Sequence, residues 1–157
     1  MKKPIIGGLF FIIGVVHFTG GVLTEVMTDT QLEKFEKIIG YEFKNKRLLE
    51  RALTHSSYCN EIKRLKNQSN ERLEFLGDAV LEVTVSDYLF EKYPEKTEGE
   101  LTKLRASIVC EPTLALCSRE IKLGEWILLS KGEEHTGGRN RDSITSDAME
   151  AVIGAIY

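Results

Sequence analysis

Carboxylate side chains recur at helical spacing in residues 70–81, whose sequence is NERLEFLGDAVL. This segment contains Glu71, Glu74 and Asp78. On a helix with 3.6 residues per turn, the three side chains fall within about 60° of one another. Carboxylate oxygens are ligands for Mg²⁺, and a bound divalent cation can activate water for hydrolysis of a phosphate ester. The segment therefore predicts a helix that presents a candidate metal site.

A second acidic pair, Asp147 and Glu150, lies near the end of the sequence, and its two residues are three positions apart. Such a pair shares one face of a helix, although pairs at this spacing are common on protein surfaces. Together with the first segment it gives five candidate carboxylates on two helices. That set suits a site for one or two Mg²⁺ ions.

The alternative interpretation is a solvated acidic surface, because charge runs usually face water. Two residues favour a functional site. Phe75 falls on the acidic side of the predicted helix, where a large aromatic ring requires a partner surface. Gly77 lies inside the helix, where glycine costs up to about 1 kcal/mol relative to alanine. We therefore expect another element to approach closely at Gly77.

The other side of the same helix is apolar and is predicted to pack against the core. Its apolar residues are Leu73, Leu76, Val80 and Val83.

Apolar residues recur with helical periodicity along the rest of the chain, and no βαβ alternation is present, so we predict an all-α fold. Thr30 and Glu33 have the spacing of a capping box at the start of the first helix, and Gly40 ends it. Asn45 is a candidate cap for the second helix. Further helices are predicted over residues 71–93, 97–110, 112–118 and 143–157. Residues 126–129 are strand-like or core-packing, and residues 131–142 are predicted to form a polar loop.

The composition is that of one folded domain, with 157 residues of which 42% are hydrophobic. A net charge of −3 argues against a basic surface that grips nucleic acid directly. This net charge does not exclude an enzyme that binds phosphates through bound cations. The three cysteines form no C-x-x-C pair, which fits a reducing compartment rather than a disulfide framework or zinc site.

The two ends of the sequence differ from its middle. Residues 4–23 carry no charge, and they allow three interpretations: upstream sequence before a natural start at Met27, a membrane anchor, or a signal peptide. We therefore divide the chain into an apolar extension, residues 1–26, and a domain, residues 27–157. The last helical pattern runs to Tyr157 without a stop signal, so we expect the domain to be incomplete at its C-terminus.

Residues 70–81 resemble the signature of the ribonuclease III family without a mismatch. Flanking stretches also match in the expected order: residues 53–58, 103–109, 132–134, 137–139 and 146–151. The resemblance covers about residues 27–157. It implies the helical endonuclease-domain fold of that family, in a chain that stops before the double-stranded-RNA-binding domain of bacterial members.

The resemblance assigns roles to matching positions. Glu74, Asp147 and Glu150 correspond to ligands of the catalytic metal. Asp78 and Glu150 correspond to catalytic residues, with Asp78 orienting the attacking water or helping to bridge ions. Glu71 corresponds to a position that engages RNA or supports the site.

Other positions carry a partner role or open alternatives. Phe75 corresponds to a residue that inserts into the second subunit of a homodimer. His55 is either a general base or a structural histidine at a helix end. Lys103 and Arg105 either contact RNA and support the site or lie on a solvated helix face. Glu82 matches no catalytic position and is expected to be surface.

The implied activity is hydrolysis of phosphodiester bonds in double-stranded RNA, with Mg²⁺ as cofactor and Mn²⁺ as a substitute. The resemblance implies a cytoplasmic homodimer that acts in rRNA and mRNA processing and leaves 5′-phosphate and 3′-hydroxyl ends. One rival is a non-catalytic RNA-binding or ribosome-associated protein with this fold, which would be expected to lose the carboxylates. Another is a membrane protein defined by residues 4–23.

Overall fold

The structure, a computed structural model, describes residues 16–18, 23–25, 27–62, 65 and 67–157. Within these residues a short hairpin precedes a helical domain, and the all-α prediction for that domain is confirmed. The hairpin pairs β1, Val16–Phe18, with β2, Leu23–Glu25, in antiparallel register. The helices are α1 Asp29–Ile39, α2 Lys46–Ala52, α3 Ser56–Glu61, α4 Glu71–Lys92, α5 Glu98–Ile108, α6 Glu111–Glu120, α7 Lys131–His135 and α8 Asp142–Ile156.

The first helix, α1, begins two residues earlier than predicted. Thr28 is its N-cap: the Thr28 hydroxyl accepts a hydrogen bond from Gln31 N at 3.2 Å, and Gln31 Oε1 accepts one from Thr28 N at 2.8 Å. The predicted capping box of Thr30 and Glu33 is therefore wrong. Both pairs have the same spacing, and the observed pair satisfies the free N–H groups at the true helix start. Gly40 ends the helix as predicted, with a φ of 68°.

Several other predicted boundaries are confirmed. The Asn45 side chain caps α2 by accepting a hydrogen bond from Arg47 N at 3.2 Å. Helix α4 ends just before Pro94, and Pro112 occupies the first turn of α6. These residues act through the ordinary chemistry of helix termini: an amide acceptor for free N–H groups, and a proline ring where no N–H is needed.

The predicted polar loop over residues 131–142 is wrong. Ser130 Oγ accepts a hydrogen bond from Glu133 N at 3.1 Å and starts α7. A short 3₁₀ turn, Gly138–Asn140, follows it. The glycines in this segment favoured a loop, but a good N-cap is sufficient to begin a short helix.

The core lies around α8, whose inner face is lined by small residues. The fully or almost fully buried residues of the core include Leu32, Phe35, Leu49, Leu53, Leu123, Ile127, Ala148, Ala151 and Val152. The apolar run at residues 126–129 contributes to this core through Ile127 and Leu129, and Leu128 forms an isolated parallel bridge with Thr54. Both parts of that prediction are confirmed, since the run packs in the core and makes a strand-like contact.

The predicted packing face of α4 is only partly correct. Leu73 is buried and Val80 is half-buried, but Leu76 and Val83 are 37% and 69% exposed. The helix contacts α8 through Leu73 of that face and through Gly77, which was not part of it. Because Gly77 has no side chain, the contact shifts toward it and leaves the Leu76 and Val83 side exposed.

Three interpretations were open for residues 4–23. This segment lies outside the described residues, except for the hairpin backbone at residues 16–18 and 23. Among the helices that the structure describes, none is both long and apolar enough to cross a membrane.

Candidate active site

Helices α4 and α8 cross at two glycines. A side chain at Gly77 would overlap the backbone carbonyl of Glu150, and a side chain at Gly154 would overlap that of Leu73. The predicted close approach at Gly77 is therefore confirmed, and the approaching element is α8. Because the crossing lies within one turn of Glu74, it brings the acidic residues of the two helices to the same place.

Four predicted site residues meet at this crossing, and we call them the carboxylate cluster: Glu74, Asp78, Asp147 and Glu150. Glu150 shows their proximity most clearly. Partial burial raises the pKa of Glu150 from 4.5 to about 7, with further contributions from the charges of Asp78, Asp147 and Glu74. The two acidic patterns in the sequence are thus parts of one site.

Burial also raises the pKa of Glu74, which is half-buried. The charge of Asp147 on the opposite helix raises it further, followed by those of Glu71 and Asp78. Desolvation and like charges both disfavour the ionised form, so the cluster favours a positive partner.

Asp147 has a more mixed environment. Partial burial raises its pKa, and the charge of Glu111 raises it further. His55 and a hydrogen bond from Ser146 act in the opposite direction. Asp147 therefore lies where the cluster meets α6 and the start of α3.

Within the part of the chain that the structure describes, no lysine or arginine forms a salt bridge with the cluster. Arg105 donates to Ser86 Oγ at 2.9 Å, so it joins α5 to α4, and Lys103 is exposed. No lysine or arginine of the described residues therefore offsets the repulsion among the carboxylates through a salt bridge.

The donor chemistry of the cluster fits a hard divalent cation, which takes carboxylate oxygens and neutralises clustered negative charge. No three His, Cys, Asp or Glu side chains of the described residues are already spaced as a ligand set. The fit therefore rests on the type, charge and partial burial of the donors rather than on preset ligand positions.

Two further predicted residues border the cluster on α4. Glu71 is exposed, and its Oε2 accepts a hydrogen bond from Ser69 Oγ at 2.8 Å. The Phe75 side chain is 80% exposed, so the described chain covers little of the large ring on this side of the helix. Both residues lie at the rim of the site rather than in the cluster.

His55 has the structural role that the sequence left open. It is the N-cap of α3, and its Nδ1 accepts a hydrogen bond from Ser57 N at 3.2 Å. Its backbone N donates to Leu128 O at 3.1 Å. These contacts hold the start of α3 beside the core.

Sequence reasoning missed two residues near the cluster. Glu111 is the first residue of α6 and acts on Asp147 only because α6 packs against α8. Asn70 precedes Glu71 and is only 2% exposed. No spacing in the sequence marks Glu111, whereas the position of Asn70, one helical turn before Glu74, was a usable signal.

Comparison with known proteins identifies the family. A model of the ribonuclease-III-like family matches residues 45–157. The chain belongs to this family. Ribonuclease 3 of Bacillus licheniformis is 55% identical over 127 residues, covering 81% of this chain and 51% of the relative. Ribonuclease 3 of Geobacillus thermodenitrificans is 56% identical, covering 81% of this chain and 52% of the relative. The chain spans about half the length of the curated relatives it matches.

Solved structures agree with this assignment to the ribonuclease-III-like family. The nuclease domain of ribonuclease III from Campylobacter jejuni is 50% identical to the chain, with a TM-score of 0.74. The match covers 80% of this chain and 83% of that one, and that nuclease domain shows structural flexibility in a region involved in its dimer formation. A second structure of the same domain gives 51% identity and a TM-score of 0.72. The predicted endonuclease-domain fold is thus confirmed.

Proposed function

We propose that this chain is the nuclease domain of an endoribonuclease that hydrolyses phosphodiester bonds of double-stranded RNA. Membership of the ribonuclease-III-like family supports the reaction class. One structural observation carries the proposal for this chain: the carboxylate cluster forms where α4 crosses α8, with raised pKa values at Glu74, Asp147 and Glu150. A surface that only bound RNA would have no use for such mutually repelling, partly buried acids.

The cation of the proposed site is Mg²⁺, for which Mn²⁺ can substitute. Glu74, Asp147 and Glu150 would hold it, because they are the members whose desolvation a cation relieves most directly. When bound, Mg²⁺ polarises the phosphate and lowers the pKa of the attacking water. Asp78 would orient that water by accepting a hydrogen bond from it.

The proposed substrate is an RNA duplex recognised by shape and backbone, with little reading of bases. The net charge of −3 supports contact with phosphates through cations rather than through a basic surface. Glu71 lies exposed one turn from Glu74, at the rim where RNA would enter, and supports that contact.

The proposed partner is a second copy of this chain, docked through α4. Phe75 is 80% exposed, and three further apolar residues of α4 are also exposed. Those residues are Leu76, Val83 and Phe90. Apolar surface along one helix of a nuclease domain favours burial against another protein surface.

We place the protein in the cytoplasm, acting on rRNA and mRNA precursors. The three cysteines are unpaired thiols, which suits a reducing compartment. Duplex segments of such transcripts are the substrates that a shape-reading nuclease would cut.

Incubation of this chain with a long RNA duplex and with each of its separated strands tests the proposal. In Mg²⁺ or Mn²⁺ we expect the duplex to be cut to products with 5′-phosphate ends and the single strands to stay intact. Chelation by EDTA should stop the reaction. Duplex binding without cleavage in Mg²⁺ would support the rival non-catalytic RNA-binding protein, and equal cutting of duplex and single strands would contradict the proposed substrate.

A further inference from the structure

Asn70, immediately before α4, is buried with an unsatisfied side-chain amide. The residue is 2% exposed, and its Nδ2 has no hydrogen-bond partner among the residues that the structure describes. It occupies the N-cap position of α4 but makes no capping hydrogen bond. A buried donor without a partner destabilises a fold, and asparagine at a helix start normally caps. Neither general packing nor capping accounts for this amide.

The backbone around Asn70 holds it firmly in place. Asn70 N donates to Thr54 O at 2.8 Å, and Asn70 O accepts from Leu73 N at 2.8 Å and Glu74 N at 2.9 Å. Arg51 Nε donates to the preceding carbonyl, Ser69 O, at 3.1 Å. These hydrogen bonds fix the Asn70 backbone, and the side-chain amide takes no part in them.

The position of Asn70 aligns it with the carboxylate cluster. Its backbone is already helical, with φ −69° and ψ −18°. Residues four apart on a helix lie on one side. Asn70, Glu74 and Asp78 consequently form a single row, with the buried amide at its inner end and one turn from the Glu74 carboxylate.

The two groups complement each other chemically. Glu74 is half-buried, and neither of its carboxylate oxygens accepts a hydrogen bond from a described residue. Asn70 provides a neutral donor on the buried side of the same row. A ligand carboxylate is usually held in orientation by such an outer hydrogen bond.

We propose that Asn70 is a positioning residue, which donates its side-chain N–H to the Glu74 carboxylate, directly or through one water, and thereby orients Glu74 for divalent-cation binding. This inference rests on the proposed function, because it assigns Glu74 to the cation. Asn70 does not contact the substrate or the reacting atoms in this role.

The test compares Asn70→Leu, which keeps the branched outline but removes the donor, with Asn45→Leu. Asn45 is also an asparagine before a helix, but its side chain caps α2. Affinity for Mg²⁺ or Mn²⁺ is measured by calorimetry, and the unfolding midpoint is measured separately in EDTA. We expect Asn70→Leu to lose about 10- to 100-fold in cation affinity without a lower midpoint. Asn45→Leu should lower the midpoint and bind the cation as the wild type does.

If Asn70→Leu binds the cation with the same affinity as the wild type, this inference alone is overturned. If the wild type binds neither Mg²⁺ nor Mn²⁺, the proposed function is overturned as well. If Asn70→Leu does not fold, the side-chain amide signals of the wild type decide. On addition of Mg²⁺, the Asn70 signals should shift and their hydrogen exchange should slow, whereas the Asn45 signals stay unchanged. Asn70 signals that neither shift nor exchange more slowly on addition of Mg²⁺ would overturn the inference.

Discussion

The backbone carbonyl of Glu150 lies against Gly77, at a place where any side chain on residue 77 would overlap it. This contact sets the separation of α4 and α8, and with it the separation of the acids they carry. Gly154 provides the reciprocal contact, against Leu73 O. The two glycines therefore determine the carboxylate cluster as directly as the acidic residues do.

We expect Gly77→Ala to destabilise the domain by about 1–3 kcal/mol, because the added methyl group forces α4 away from α8. Urea denaturation in EDTA measures the free energy of unfolding. Gly99→Ala is the matched control: Gly99 lies in α5 with nothing within 4 Å of the new methyl group. That variant should gain about 0.5–1 kcal/mol. Equal effects at the two positions would show that the crossing does not depend on a glycine.

The stability of the cation-free protein should fall as pH rises, because of Glu150. Its pKa rises from 4.5 to about 7 in the folded state, so between these values the folded protein holds a proton that the unfolded chain has released. The associated loss of stability develops across that window and is complete above it.

Glu150→Gln should remove this loss. In EDTA at pH 8 we expect the variant to be more stable than the wild type by about 1 kcal/mol, after allowance for solvent screening of a partly exposed group. At pH 4 the two proteins should be equally stable, since the glutamate is then protonated in both states. A variant that is less stable by the same amount at every pH would contradict the assigned environment of Glu150.

Phe75→Ala should weaken self-association without weakening the fold. Because the ring is 80% exposed, we expect the free energy of unfolding of one copy to change by less than about 0.5 kcal/mol. Sedimentation velocity over a concentration series measures the monomer–dimer equilibrium. Leu116→Ala, at a 54% exposed position on α6, is the control and should leave that equilibrium unchanged. Identical association of wild type and Phe75→Ala would exclude α4 as the docking surface proposed here.

The sequence predicted the cluster well because its members follow helical periodicity. Glu74 and Asp78 are four apart and Asp147 and Glu150 are three apart, so each pair could be placed on one side of a helix. Gly77 then indicated the close contact that joins the pairs. Periodicity and a glycine inside a helix are local signals, which can be read without knowledge of the tertiary structure.

Features that depend on packing were predicted less well. Glu111 reaches Asp147 only through the contact between α6 and α8. Val83 reads as a core residue on a helical wheel but is exposed, because Gly77 draws α8 to another side of α4. The N-cap of α1 at Thr28 depended on which of two equally spaced polar pairs lies at the helix end.

The most direct measurement of the central claim compares Mg²⁺-dependent duplex cleavage by Glu150→Gln and Glu82→Gln. Glu82 is exposed on α4, four residues beyond Asp78 on the same side of the helix, and it is not a member of the cluster. We expect Glu150→Gln to cut at least about 100-fold more slowly than the wild type, while Glu82→Gln cuts at the wild-type rate. Wild-type cleavage by Glu150→Gln, or an equal loss in both variants, would contradict a catalytic role for the carboxylate cluster.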